Sequence, residues 1–472
     1  MRFSYLPHLR RSAVNNFFSN MGEQSDRLIS LDVFRGMTIA GMVLVNNPGG
    51  SPVYWALDHA EWNGLTPTDW IFPFFLFIVG VSISIAFSKT KGGNPTGREG
   101  VSRYGKIFKR AASIYLLGAV ISIIPFFQFQ STDAPDPLKM LIWLAFAGSL
   151  FFLLLRNYRV AAALCVVALL GIAGLNLAGY NVVPYNYGTL RIFGVLQRIA
   201  LCYLITSLVF LYTNWKEQVG IAVGLLLGYW LIMTTIPVPG CEITSVSDKA
   251  CNLASYIDRL ILTENHIWRG GKVYDPEGIL STIPAIVTTI SGVLAGTWLK
   301  YRGEGQVASD EGSPSSIVPV HSSLNKVSGM FFFGIILLAL GLIWNSYFPM
   351  NKALWTSSYV LATTGLALLV LGSCYWLIDI KGYKSWAKPF VIFGVNAMPL
   401  FVFTGIFARM IAAYRVPGDD GQLISIQRWV MNRVYLPIAQ PIDASLMFAV
   451  SFILFWLFMM WLLYRKKIYI KV

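Results

Sequence analysis

Four groups of polar and ionisable residues stand out of an apolar background, and each has a chemistry open to it. The densest runs Asn46-Asn47-Pro48-Gly49-Gly50, then His59-Ala60-Glu61-Trp62-Asn63-Gly64, then Thr66-Pro67-Thr68-Asp69. A neutral imidazole at His59 can accept a proton near pH 7. The amides of Asn46 and Asn47 can donate to a developing oxyanion. Asp69 either orients His59 or caps the helix that Pro67 opens, since acid and proline both suit a first helical turn. Trp62 and Asn63, beside the histidine, are candidates for binding a substrate.

The other groups are sparser. Asp32 and Arg35 lie three apart and share a helix face. They make a local ion pair at a helix start, or Arg35 holds an anionic cofactor. Arg191 and Arg198 lie seven apart on another helix, with Gln197 beside the second. Arg191 can snorkel to an interface. Arg198 lies about two turns deeper, where a lone cation is costly, so it either pairs with another helix or meets a cofactor. Asp275 and Glu277, in Tyr274-Asp275-Pro276-Glu277-Gly278, enter a further helix. Acids there are routine caps, and they equally suit a cationic amine or sugar hydroxyls. Asn396, inside an apolar run, joins Asp32, Arg35, Gln197 and Arg198 as candidates for holding a cofactor. No Cys/His spacing suits a metal, and none is expected.

The elements that must position these groups are membrane helices. The chain has 472 residues, 55% hydrophobic and only 13% charged, with a mean hydropathy of +0.58. Soluble domains carry about 25% charged residues. This composition excludes a soluble globular enzyme and a disordered chain. Apolar runs of spanning length fall near 33–50, 67–88, 107–127, 138–155, 159–179, 192–213, 218–237, 279–299, 327–347, 354–379, 389–414 and 443–464. The expected fold is all-α and polytopic, with about twelve transmembrane helices. The net charge of +14 sits between apolar runs, which points to loops at one membrane face and not to nucleic acid.

Loop charges set the orientation. Lys and Arg crowd the loop 89–106, the later even-numbered connections and the C-terminal tail, whereas 51–66 and 128–137 have none. Both termini are expected in the cytoplasm. The loops 51–66, 238–278 and 415–442 then face outward. Residues 1–26 read as a cytoplasmic tail, with Met21 an alternative start, and 27–472 as one transmembrane domain. The Gly/Ser-rich stretch 303–323 reads as a cytoplasmic linker. Cys241 and Cys251 share an outer loop and can pair in an oxidising compartment.

The blocks LDVFRGMTIAGMVLVNNPGG and HAEWNGLTPTDWIFPFFLFIVGVSI resemble the opening of the heparan-α-glucosaminide N-acetyltransferase family. RIFGVLQRIA, PVPGC, YIDRLIL, YDPEGILSTIPAIVTTISGVLAG, NKALWTSSYVL and the stretch around GVNAMPLFVF resemble its later blocks in the same order. The resemblance covers most of 27–414. It implies an inner-membrane enzyme that takes acetyl-CoA from the cytosol and acetylates a glucosamine amine, free or ending a glycan such as heparan sulfate, on the opposite side. It also implies that the active histidine is His59, that the asparagine is Asn46 with Asn47 as the neighbouring choice, and that the protein is a homodimer. The chain departs from the family's animal members in lacking the large N-terminal lumenal domain, as a bacterial catalytic core would. It also carries an extra helical pair near 137–179. Free glucosamine and other amino sugars are therefore as plausible as heparan.

These readings lead to transfer in a ternary complex with His59 as general base, or to an acetyl-histidine intermediate. Two rival functions fit the same topology. One is a sugar transporter using His59 and Asp69 as a proton relay. The other is an O-acyltransferase of an envelope polysaccharide.

Overall fold

The computed structural model describes residues 28–88, 98–300 and 320–470, with the side chains of all but 98–102 and 320–322. The expected tail 1–26, the loop part 89–97 and the linker from 303 to 319 lie outside the described residues. From Val320 onward the expected linker already belongs to a helix.

In chain order the long helices are α1 (Ile29–Asn46), α2 (Ile71–Phe87), α3 (Arg98–Ile123), α4 (Asp136–Leu154), α5 (Tyr158–Leu177), α6 (Val195–Tyr212) and α7 (Trp215–Thr235). A short amphipathic helix, α8 (Leu253–Leu262), follows in the loop before α9 (Thr282–Lys300). Then come α10 (Val320–Trp344), α11 (Ser357–Cys374), α12 (Lys388–Val395), α13 (Ala397–Ala413), the short α14 (Ile426–Val430) and α15 (Pro441–Arg465). An antiparallel hairpin of β1 (Arg415–Pro417) and β2 (Leu423–Ser425) stands before α14. The extra pair expected near 137–179 is the hairpin α4–α5.

Among the described residues ten helices are long and apolar enough to cross a membrane, and a bent pair makes eleven. The chain is an all-α polytopic membrane protein. The expected count of twelve differs at two places. In α3 the first half carries Arg103, Lys106, Lys109 and Arg110. Its charge-free part, 111–123, is shorter than the about 20 residues of a span. The run 389–414, expected as one helix, is α12 and α13, bent by 72° at Asn396. Pro399 has no N–H for the carbonyl of Val395 and its ring crowds that carbonyl, so the helix stops and restarts.

Helix α9 is the most enclosed span, with 72% of its apolar window buried, and α5 the least, with 17%. Around α9 stand α2, α6, α7 and α11. The approach of α2 to α9 depends on Gly80 and Gly292, where a Cβ would strike the carbonyls of Thr289 and Phe77. Small residues let membrane helices come this close. Gly36 and Gly394 do the same for α1 and α12.

Candidate active site

The strap from α1 to α2 is pinned onto the start of α2 by short side chains. Thr66 Oγ1 donates to the carbonyl of Asp58 at 2.7 Å, and Thr68 Oγ1 to that of Ala56 at 3.1 Å. Asp69 divides its two oxygens between two tasks. Its Oδ2 accepts from Thr66 N at 3.1 Å and Ala60 N at 3.2 Å and lies 3.0 Å from Thr66 Oγ1. Its Oδ1 stands 2.7 Å from His59 Nδ1. The two readings of Asp69, cap and orienting group, are therefore both realised. A carboxylate at Nδ1 fixes the proton there and leaves Nε2 as the acceptor. The Asp69 side chain is 1% exposed and that of His59 47%, so the imidazole faces outward from a buried support.

Lys352 completes the cluster from the connection between α10 and α11. Its Nζ lies 3.0 Å from His59 Nδ1, 3.2 Å from Nε2 and 3.5 Å from Asp69 Oδ1. Burial pushes this ammonium below its ordinary pKa, against the pull of Asp69 and Glu277. The connection is held in place by Asn351, whose Oδ1 accepts from Leu354 N at 2.9 Å, and by Gly64 N donating to the Met350 carbonyl at 2.8 Å. Below, Tyr359 of α11 donates its hydroxyl to the Asp69 carbonyl at 2.6 Å.

Trp62 and Asn63 dock the long loop 238–278 beside the histidine. Trp62 Nε1 donates to the Val246 carbonyl at 3.0 Å, and its ring meets Tyr274 edge-on at 4.9 Å. Asn63 donates to Ser247 Oγ at 2.9 Å and accepts from Asn351 Nδ2 at 3.1 Å. The amide of Asn63 is thus engaged with protein at both ends. A disulfide joins Cys241 to Cys251 in the same loop, with Cα atoms 5.9 Å apart.

The YDPEG turn arrives at this end too. Arg191 donates Nε to Asp275 Oδ2 at 2.9 Å and Nη2 to both Asp275 and Glu277. Arg191 therefore does not merely snorkel, and both acids are buried against it. Burial works against its charge, but Glu277 and Asp275 carry its pKa above the ordinary value. Asp258 of α8 lies beneath, its Oδ1 accepting from Ile279 N at 2.8 Å. Burial foremost pushes it up to about 7. Gly278 packs on this carboxylate, which a Cβ would strike.

Arg198 is fully buried. It donates Nη2 to Ser281 Oγ and to the Gly278 carbonyl, and its guanidinium lies 5.0 Å over the Trp355 ring. Among the described residues its Nε and Nη1 find no acceptor. Gln197, also buried, sits beside it against Gly118.

The remaining cofactor candidates stand elsewhere. Arg35 pairs with Asp32 at 3.2 Å and donates to Ser82 Oγ at 3.1 Å. Ser82 lies thirteen residues beyond Asp69 along α2, about 20 Å at 1.5 Å per residue. Asn396 donates Nδ2 to the Ile468 carbonyl at 3.0 Å and accepts from Ile470 N at 2.9 Å. Its amide holds the C-terminal segment to the break between α12 and α13. The five cofactor candidates thus divide, with Gln197 and Arg198 at the histidine end and Asp32, Arg35 and Asn396 away from it. Asn46 is exposed at the end of α1. Among the described residues no hydrogen bond joins it to His59 or Asp69, and Asn47 donates back to the Val43 carbonyl at 2.8 Å.

Lys352 is the member that sequence reasoning missed. Its signal was a lone cation in the short NKALW connection between two apolar runs.

Comparison with known proteins finds similar sequences. Residues 27–172 match the model of "heparan-alpha-glucosaminide N-acetyltransferase, catalytic". That segment holds His59, Asp69, Asn46 and Arg35. The chain is 26% identical to heparan-alpha-glucosaminide N-acetyltransferase of Homo sapiens over 94% of its own length and 60% of the human protein. It is 25% identical to the Mus musculus protein of the same name, over 84% of its own length and 54% of the mouse protein. The chain thus spans a little over half of these relatives. Both comparisons bear out the resemblance carried by the sequence blocks.

Proposed function

We propose that this chain, a relative of the heparan-α-glucosaminide N-acetyltransferases, is a membrane acetyltransferase that carries acetyl from cytosolic acetyl-CoA to the amine of a glucosamine, free or ending a glycan, on the other side. The observation that carries the reading is the His59–Asp69 pair, buried on the carboxylate side and open on the imidazole side, with Lys352 against the ring. A glucosamine amine is largely protonated near neutral pH. His59 Nε2 takes that proton, the amine attacks the thioester carbonyl, the new C–N bond forms and the C–S bond breaks. That first proton passes to solvent, and the second, lost by the amine nitrogen as the C–N bond forms, is taken by His59 and delivered to the departing thiolate. The Lys352 cation disfavours an ammonium beside it and stabilises the oxyanion. The residues present fit the donor. Two buried nitrogens of Arg198, Nε and Nη1, lack acceptors among the described residues and suit a thioester carbonyl that enters the bundle, and Arg35 suits an anionic group at the opposite end. Asn46 then supplies an amide at the rim. Direct transfer needs no group beyond these, so it is preferred over an acetyl-histidine.

The charge pattern of the loops supports an outward histidine end. The Cys241–Cys251 disulfide in the docked loop supports the same orientation, because such bonds persist in oxidising compartments. In a bacterium that membrane is the inner one.

The test uses sealed vesicles of known orientation, with acetyl-labelled acetyl-CoA on the cytoplasmic side and glucosamine on the other. Labelled N-acetylglucosamine is expected on the far side, and none with His59→Ala. Glucosamine crossing unmodified would mean transport instead.

A further inference from the structure

The strap that carries His59 and the connection that carries Lys352 are joined by neighbouring residues on each side. Gly64 N donates to the Met350 carbonyl at 2.8 Å, and Asn351 Nδ2 donates to Asn63 Oδ1 at 3.1 Å. Lys352 follows Asn351 directly, and its Nζ lies 3.0 Å from His59 Nδ1. A lysine ammonium ends a flexible four-carbon stem, so its place against the ring depends on where its backbone is held. Gly64 takes a φ of +125°, which glycine adopts without strain, so a side chain at this junction would strain it.

The other end of the Asn63 amide is anchored. Its Nδ2 donates to Ser247 Oγ at 2.9 Å, next to Val246, whose carbonyl accepts from the Trp62 indole at 3.0 Å. Both residues lie in the ring that the Cys241–Cys251 disulfide closes. Within that ring Ser245 N donates to the Cys251 carbonyl at 2.9 Å. Arg259 of α8 ties the ring down, with Nη2 on the Ala250 carbonyl at 2.8 Å and Nη1 on that of Val273 at 2.6 Å. Asn63 thus bridges a cross-linked loop and the residue next to Lys352. Each end of its amide meets protein, as in a strut and unlike a group awaiting a sugar. We propose that Asn63 is a positioning residue for acetyl transfer: held by the 241–251 ring, it fixes the connection through Asn351 and so sets Lys352 against His59. The role rests on the acetyl-transfer reading and replaces the substrate contact expected of Asn63 from its place beside the histidine.

The experiment is steady-state acetyl transfer by the full chain, with Asn63→Leu, Lys352→Met and the two together. A misplacement of about 1 Å costs about a hundredfold in rate, so Asn63→Leu should lower kcat by about tenfold to a hundredfold, with KM for glucosamine unchanged. In the Lys352→Met background the same substitution should cost less than about twofold, because a residue that acts through another is not additive with it. Ser247→Ala keeps Asn63 and frees its anchored end. It should lower kcat in the same pattern by about threefold, the worth of one hydrogen bond. Hydrogen exchange at the Gly64 amide should quicken in Asn63→Leu while the α4–α5 hairpin exchanges as in the parent, which separates a loosened junction from misfolding. A raised KM for glucosamine at parental kcat would make Asn63 a sugar contact and overturn the proposal. So would equal losses in both backgrounds, or parental kcat in both Asn63→Leu and Ser247→Ala. Those results leave acetyl transfer itself standing, whereas an unaltered chain that transfers no acetyl would overturn that reading and this role with it.

Discussion

At the histidine end, ionisable side chains find partners far away in sequence. Lys352 reaches Asp69, and Arg191 reaches Asp275 and Glu277. At the opposite end, Arg35 pairs with Asp32 three residues away on the same helix. The first arrangement exists only when α2, α6, α9 and α11 are assembled, and its geometry is set before any substrate arrives. The second ion pair is local to one helical turn, with a further bond from Arg35 to Ser82 of α2, and its guanidinium stays partly exposed near the mouth of the bundle. Preorganisation suits a group that must act on a developing charge. A local pair suits a group that must exchange partners when an anion binds. The two ends should therefore respond differently to substitution, in turnover and stability at one and in affinity at the other.

The largest effect belongs to the dyad. Asp69→Asn keeps the shape and the cap but removes the charge that fixes the histidine proton on Nδ1. It should lower kcat by about 10²–10⁴-fold, the usual worth of a positioned base, with KM for acetyl-CoA unchanged. A KM that rises while kcat holds would move Asp69 from catalysis to binding.

Next comes the ion-pair network. Arg191→Met leaves Asp275 and Glu277 buried without their cation, and breaking a buried pair in this way costs about 3–5 kcal/mol. Thermal melts in detergent should show that loss, and adding Glu277→Gln should restore part of it. A single variant as stable as the parent would show that these charges are hydrated and not part of a preorganised end.

The pH dependence of stability sharpens the same contrast. Asp258 is pushed up to about 7, above its unfolded value near 4. Between those values the folded state holds the proton and the unfolded state has released it. Stability is then full below about pH 4 and falls as pH rises toward 7, by about 4 kcal/mol at most. Asp258→Asn should flatten melting temperature between pH 5 and 8. An equal slope in the variant would place the titrating group elsewhere.

The helices were legible in the sequence because hydropathy alone dictates a membrane span. The bend at Asn396 was not, although Pro399 stood in plain view, because hydropathy is blind to a missing N–H. His59 and Asp69 were legible because ten residues and one helix start bring them together. Lys352 is 293 residues from His59, and no local pattern reports such a meeting. Arg191 and its acids, 84 and 86 residues apart, were visible as residues and invisible as a pair. Asp69 was read as cap or orienting group because sequence counts one side chain, whereas the carboxylate has two oxygens and uses one for each.

The smallest effect is expected at the opposite end, and it tests the comparison most directly. A partly exposed pair such as Asp32–Arg35 contributes about 1 kcal/mol or less to stability, so Arg35→Ala should melt within a few degrees of the parent. If Arg35 holds an anionic part of the donor, the same substitution should raise KM for acetyl-CoA by about fivefold to tenfold, as loss of one hydrogen bond worth about 1 kcal/mol does. It should leave kcat in place, because Ser82, and Arg35 with it, stands about 20 Å along α2 from Asp69. That effect should shrink as salt is raised, since a cation at a solvent-reached mouth is screened. A drop in kcat at unchanged KM would couple the two ends and remove the division of labour inferred from their geometry.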